Sequence, residues 1–199
     1  MTPFQFQKSI QMLAFFCKEE GGVMNKMKAL KLVWATERLH LRKHGSLIIN
    51  DDFYAMKFGP VPSFTKDMVE GGFSLSEEEI EYRALNIQAS NNLEFRQVGQ
   101  FEPNIFSRNA LKSMEEVMSK FQKFDQFQLR DITHLYPEWS KFAHLFPQYA
   151  SRKDMDVLDF FENPVQEHFD IFKQDSEHLS FMKEFFMERE QLSQAVYSL

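Results

Sequence analysis

The first 45 residues carry two helical repeats of apolar side chains, each with a start signal and a stop signal. Thr2 can cap a helix that begins at Pro3, because proline loses no needed hydrogen bond at the first helical position. A Gly-Gly pair ends this first run. A second apolar run starts near Asn25 and stops at Gly45, again at helical spacing. Any fold of this chain must therefore accommodate two N-terminal helices.

The next region predicts short strands and a break. Residues 47–49 are Leu-Ile-Ile, and residues 53–58 partly alternate between apolar and polar side chains, as strands do. The Gly-Pro-Val-Pro run at 59–62 argues against regular structure, because proline donates no ladder hydrogen bond and restricts the residue before it. We expect a rigid turn at this run and a short helix at residues 63–70.

Residues 80–98 predict a β-hairpin. A polar Ser-Asn-Asn turn at 90–92 separates two stretches, and residues 93–98 alternate with a period of two. The acidic stretch 74–79 before them indicates a solvated connector or the start of a helix.

Helical signals return after Pro103 and continue to the end of the chain. The predicted helices start at Ser107, cover 127–135, 138–146 and 156–161, and start again at Asp175-Ser176. We therefore predict a mainly helical α+β fold. Residues 1–150 form a single domain with a small antiparallel β element, and residues 151–199 form a helical extension packed on it. The last helix either closes the protein's own core or contacts a partner.

The charge of the chain is acidic, with a formal net value of −6. Nucleic-acid binding needs a basic surface that neutralises phosphates, so we expect no nucleic-acid partner. The densest basic patch, Arg38, Arg42, Lys43 and His44, is interpreted as a solvated helix end. The N-terminus lacks the pattern of a signal peptide, and no apolar run is long enough to span a membrane. With the lone Cys17, these features predict a cytoplasmic protein without a membrane partner.

Sequence motifs for catalysis are missing. The chain has no glycine-rich phosphate loop and no Gly-x-Ser-x-Gly elbow. His40 and His44, with Glu37 one turn earlier, would make half a zinc site, but a solvated helix end explains the same spacing. His134 would be a general base only with a nucleophile in reach, and a structural role is the alternative. We expect no enzyme activity, no metal and no cofactor.

Phenylalanine is unusually frequent, with 23 of 199 residues. Each buried ring covers on the order of 150–250 Å² of surface. Most rings are expected in the core, and the others would form an apolar face that awaits a partner.

The most specific local pattern spans residues 28 to 61. It combines a Lys-Ala-Leu-Lys-Leu-Val-Trp-Ala helix at 28–35 with Phe-Gly-Pro-Val at 58–61, and a Leu-x-x-x-Thr-His segment at 129–134 with Trp139 follows later. This pattern resembles the signature of the Panacea (SocA-like) antitoxin family over about residues 8 to 145. Trp34 departs from the signature, in which tyrosine is commoner. The tail after about residue 150 is also longer than the family domain requires.

The resemblance implies a binding module without catalysis. Family members neutralise toxin proteins by direct binding, and one type acts as an adaptor that delivers its toxin to a protease. We expect an antitoxin, and the alternative is a phage- or element-borne regulatory or proteolytic adaptor of the same fold without a toxin partner. A hydrolase or metalloenzyme would rest on the three histidines alone.

The expected contact region is the turn at 58–61, which would lose little entropy when a partner docks. The same turn could simply pack on the second helix. Lys31 interrupts an apolar neighbourhood and is expected to pair with a carboxylate such as Asp52. The expected partner-binding residues are Phe58, Gly59, Pro60, Val61, Lys31 and Asp52. The acidic net charge would favour a basic partner.

Overall fold

The structure is a computed structural model, and it describes residues 2–71, 75–146 and 151–197. Its α-helices are α1 (Pro3–Glu19), α2 (Lys26–His44), α3 (Ser63–Glu70), α4 (Glu77–Asn86), α5 (Arg108–Phe121), α6 (Gln126–Thr133), α7 (Pro137–Ser140) and α8 (Ser176–Tyr197). Its strands are β1 (Val23–Asn25), β2 (Phe53–Met56), β3 (Gly59–Pro62), β4 (Ile87–Ala89), β5 (Glu94–Gln97) and β6 (Lys153–Asp154). Short 3-10 helices lie at Pro103–Ile105, Ala143–Leu145, Val157–Phe161 and Asp170–Phe172. The mainly helical α+β class is confirmed.

The two N-terminal helices begin and end where their capping signals predict. The Thr2 hydroxyl accepts a hydrogen bond from the Gln5 amide, and the Gln5 side chain accepts one from the Thr2 amide at 2.7 Å. Asn25 caps α2 by accepting from the Lys28 amide. Gly45 ends α2 in the left-handed region, with φ of 60°. These contacts satisfy backbone groups that a helix end leaves free.

Two three-stranded antiparallel sheets accompany the helices, with strand orders β1-β5-β4 and β3-β2-β6. The β4–β5 hairpin confirms the later part of the predicted hairpin, but residues 80–86 are helical. A capping box between Ser76 and Glu79 starts α4 there, and this local signal outweighs the weak alternation. The hairpin also joins a larger sheet, because β5 pairs with β1.

The strand predicted at 47–49 is wrong. The buried Glu37 carboxylate accepts hydrogen bonds from the amides of Ile48 and Ile49, each at 2.8 Å. These amides therefore bond to a side chain and not to a neighbouring strand. Burial raises the pKa of Glu37 to about 7, and the two amide hydrogen bonds oppose that shift.

The Gly-Pro-Val-Pro run is a strand and not the predicted turn. β3 pairs with β2 in a register that places Met56 opposite Gly59 and Phe53 opposite Pro62. The reversal lies one step earlier, at Lys57 and Phe58. Because β3 lies at the edge of its sheet, its prolines can lack amide hydrogens without breaking an inner ladder.

Helix α2 lies at the centre of the core and is buried over most of its length. Trp34 contacts the rings of Tyr136 and Phe172, with centroid distances of 5.3 Å and 6.1 Å. Many phenylalanines belong to this core, as expected: Phe6, Phe15, Phe16, Phe53, Phe95, Phe106, Phe121, Phe160, Phe161 and Phe172. Others are exposed: Phe4, Phe58, Phe64, Phe127, Phe181 and Phe185.

The region after residue 150 is tied to α2 by a buried arginine. Arg42 donates hydrogen bonds to the backbone carbonyls of Phe160, Glu162 and Phe172 at 2.9, 3.1 and 3.0 Å. The expectation that the basic patch is a solvated helix end is therefore wrong for Arg42, which is fully buried. The predicted domain boundary at 150 falls on residues 147–150, outside the described residues.

The helices predicted at 138–146 and 156–161 are shorter or tighter than expected. The first is α7 followed by the 3-10 turn Ala143–Leu145, and the second is the 3-10 helix Val157–Phe161. Within the described ranges, no helix has the length and apolar character needed to cross a membrane.

Candidate functional site

The β2–β3 hairpin is held on α2 by a buried lysine. The Lys31 amino group donates a hydrogen bond to the backbone carbonyl of Pro60 at 2.7 Å, and the residue is only 2% exposed. Burial lowers the pKa of Lys31 to about 7, because a charged amine is poorly solvated in the interior. Lys31 therefore fixes the position of β3 with a single strong donor.

The expected ion pair between Lys31 and Asp52 is not found. Asp52 is exposed, and its backbone carbonyl accepts a hydrogen bond from the Ser63 amide at 2.8 Å. The neighbouring Asp51 is the buried carboxylate, and it accepts from the amide and the hydroxyl of Thr65 at 2.8 and 2.7 Å. Burial raises the pKa of Asp51. Asp51 thus fastens the start of α3, while Asp52 contributes backbone alone.

Gly59 packs closely against the helices behind the hairpin. Its φ of 99° lies in the region that side chains disfavour. A Cβ atom at this position would lie 2.6 Å from the Thr133 hydroxyl and 3.0 Å from the Lys31 amine. Glycine is therefore required here both by backbone conformation and by space.

The later part of the signature holds the hairpin from the other side. The Trp139 indole donates a hydrogen bond to the Met56 carbonyl at 2.8 Å. The His134 ring stacks on Trp139, with centroids 3.5 Å apart and planes within 3°. Burial, then the nearby Lys31 charge, lower the pKa of His134 to about 4. A neutral stacked imidazole agrees with a structural role for His134.

A buried ion pair links α2 to α7. Arg38 donates to both carboxylate oxygens of Glu138, at 2.7 and 2.6 Å, and neither side chain is exposed. Burial raises the pKa of Glu138, and the Arg38 charge opposes that rise. Arg38 therefore also departs from the predicted solvated patch. A pair separated by 100 positions leaves no periodic signal in the sequence.

His40, the first histidine of the expected zinc half-site on α2, is packed in the core. His40 is buried and its Nδ1 lies 3.0 Å from the Ser113 hydroxyl. Burial, above the other causes, lowers the pKa of His40 to about 3. The carboxylate of Glu37, the third expected ligand, already accepts hydrogen bonds from two backbone amides. Over residues 2–71, 75–146 and 151–197, no cluster of three or more His, Cys, Asp or Glu side chains has metal-binding geometry.

An open groove of about 440 Å³ lies in front of the hairpin. Residues from α2, β2, β3, α3 and α6 line it, together with the β2–β3 turn and the loop before β5. We call it the hairpin groove. Its apolar lining includes Leu30, Met56, Phe58, Val61, Leu93 and Phe127.

Three of these side chains are widely exposed. The exposed fractions are 51% for Phe58, 69% for Leu93 and 50% for Phe127. They come from parts of the chain that are far apart in sequence, and the fold places them around one opening. An apolar opening of this kind is a typical binding surface.

The expected partner-binding residues divide into two groups. Phe58, Val61 and Lys31 line the hairpin groove. Gly59 and Pro60 are buried behind it, and Asp52 is not among the lining residues. The sequence interpretation missed Leu93 and Phe127. Leu93 follows a polar turn, and Phe127 comes shortly after Phe121 and Phe124 in the sequence, so neither had a signal that distinguished it from the core.

Comparison with known proteins identifies a family. The family model described as antitoxin SocA-like, Panacea domain, matches residues 30–140, more than half of the chain. No curated protein and no solved structure matches the chain. Gly59 and the two side chains that bond to the hairpin, Lys31 and Trp139, all lie inside the matched range.

Proposed function

Because the chain belongs to the SocA-like antitoxin family with a Panacea domain, we propose that it is an antitoxin that binds and neutralises a cognate toxin protein. The protein binds without catalysis and acts in the cytoplasm of a bacterium, and its gene is bacterial or phage-associated. The family match carries this proposal. The hairpin groove supports it with a surface that suits a protein ligand.

The proposed toxin contact is the hairpin groove. Its walls are fixed by Lys31 and by the β2–β3 pairing, so little order has to be gained on binding. Covering the exposed halves of Phe58, Leu93 and Phe127 contributes about 3 kcal/mol in total, whereas association costs at least about 4 kcal/mol. The three apolar side chains therefore start an interface, and further contacts must complete it.

Growth of cells that express the product of the adjacent gene tests the proposal. Toxicity should be relieved by co-expression of this protein. The variant Phe58→Ser/Phe127→Ser should lose the relief, because it replaces two exposed rings at the groove. The matched control Phe181→Ser/Phe185→Ser changes two exposed rings on α8 and should keep the relief.

A proteolytic adaptor is the second candidate, favoured by a second apolar surface. Phe181, Phe185 and Leu192 on α8 are exposed, and none of them lines the groove. An adaptor needs one surface for its client and another for a protease. An adaptor would relieve toxicity by lowering the amount of toxin with time, whereas a neutralising antitoxin would relieve it by stoichiometric binding. The α8 double variant would then stop the fall while toxin binding persists.

A further inference from the structure

The hairpin groove has a local charge opposite to that of the whole chain. Its described lining carries four lysines, Lys26, Lys31, Lys57 and Lys66, and one carboxylate, Glu70. The chain as a whole has a net charge of −6. At physiological ionic strength charges are screened over about 8 Å, so the lysines at the groove decide what is attracted there.

Two of these lysines are engaged by neither a carboxylate nor a backbone carbonyl within the described residues. Lys66 forms an ion pair with Glu70, and Lys31 is used by the Pro60 carbonyl. For Lys26 and Lys57, no ion pair with a carboxylate occurs within the described part of the chain. Both are free to bind a carboxylate from outside.

Cations also lie over the exposed rings of the groove. The Lys57 amine is 5.8 Å from the centre of the Phe58 ring, and the Arg130 guanidinium is 5.4 Å from the centre of the Phe127 ring. Each ring thus combines an apolar face with a positive charge at close range. A ligand that covers the rings brings its own neighbouring side chains next to these cations.

We propose that the hairpin groove binds an acidic amphipathic segment of the partner protein, with apolar side chains that cover Phe58 and Phe127 and carboxylates that pair with Lys26 and Lys57. This inference rests on the proposed function for the identity of the partner. It reverses the expectation of a basic partner that the net charge alone would give. Charge complementarity supplies the additional contacts that the three apolar side chains need.

A pair of small probes tests the charge preference without the toxin. 4-Phenylbutanoate and 4-phenylbutylammonium share an aromatic ring and differ in the sign of their charge. In an NMR titration of the ¹⁵N-labelled full chain, the anion should shift the amides of Lys26, Lys57, Phe58 and Phe127. The cation should bind about tenfold more weakly, the effect of two exposed charge contacts.

Charge reversal assigns the preference to the two lysines. Lys26→Glu/Lys57→Glu should remove the preference for the anion. Lys120→Glu/Lys123→Glu makes the same change in net charge at two exposed lysines, one in the last turn of α5 and one just after it, and should keep the preference. Equal binding of both probes, no binding of either at the groove, or loss of the preference in the control would overturn the inference. Concentration-dependent shifts of the groove amides without a probe would also overturn it, because they would assign the groove to a second copy of the chain.

The co-expression assay separates this inference from the proposed function. If relief of toxicity is lost with Phe58→Ser/Phe127→Ser but unchanged with Lys26→Glu/Lys57→Glu, the groove remains the proposed toxin contact. The proposal that the bound segment is acidic is then refuted. Relief that is lost with both variants supports both statements. Absence of any toxic neighbour would refute the antitoxin role, while the probe titration still decides the charge preference of the groove.

Discussion

Substitution of Gly59 by alanine is the sharpest test of how the hairpin packs. The backbone conformation alone costs about 1–2 kcal/mol for any residue with a side chain. The new methyl group would also lie 2.6 Å from the Thr133 hydroxyl. Relief of that contact needs movement in a packed region, which costs a further 1–3 kcal/mol or so. We expect Gly59→Ala to lower the free energy of unfolding by about 2–5 kcal/mol.

Gly22 is a matched control for this substitution. Its φ of 95° is close to the 99° of Gly59, but no atom lies within 4 Å of the position that its Cβ would take. Gly22→Ala should therefore cost only the backbone part, about 1–2 kcal/mol. Urea unfolding followed by circular dichroism measures both values. Equal losses for the two variants would refute the close approach of Gly59 to α6.

Substitutions at four buried charged residues give further tests. Between pH 7 and 10.5, Lys31 keeps its proton in the unfolded chain but has lost it in the folded protein, where its pKa is about 7, so the stability of the wild type rises with pH. Lys31→Met should flatten this rise. An unchanged slope would contradict the prediction. Between pH 4.5 and 7, Glu37 keeps its proton in the folded protein but loses it in the unfolded chain, so the stability of the wild type falls with pH, and Glu37→Gln should flatten this fall. Urea unfolding across the pH range measures both slopes. Arg38→Met should lower the free energy of unfolding by about 3–5 kcal/mol, measured in urea, because it leaves the buried Glu138 carboxylate without its partner. The double variant Arg38→Met/Glu138→Leu should lose less stability than Arg38→Met alone. Additive losses from the two substitutions would contradict the pairing. Arg42→Met should speed limited proteolysis within residues 151–175, whereas an unchanged cleavage rate would show that its bonds to the carbonyls there do not hold that region.

The elements with local chemical signals were predictable from the sequence. Helices α1, α2 and α3 begin and end within a residue or two of their predicted positions, because their caps and glycines act locally. The strand predicted at 47–49 failed because the amides of Ile48 and Ile49 bond to Glu37, which lies 11 and 12 residues earlier in the sequence. The apolar pattern of a short buried segment is the same in a strand and in a pinned loop.

The candidate site was predictable only in its anchoring part. The family signature pointed to Lys31 and to residues 58–61, and the structure places them together. The predicted carboxylate partner of Lys31 was wrong, because its amine donates to the backbone carbonyl of Pro60, and a backbone acceptor leaves no sign in the sequence. Leu93 and Phe127 reach the groove through contacts between distant elements, and no single-sequence pattern records such contacts.

The most direct test of the central claim is binding between the purified protein and the product of its adjacent gene. Isothermal titration calorimetry with the wild type should show a stoichiometric complex, and Phe58→Ser/Phe127→Ser should weaken it while Phe181→Ser/Phe185→Ser leaves it unchanged. Toxicity in cells should follow the same order. Binding that is insensitive to the groove variant, or a neighbouring product that is harmless and does not bind, would contradict the account.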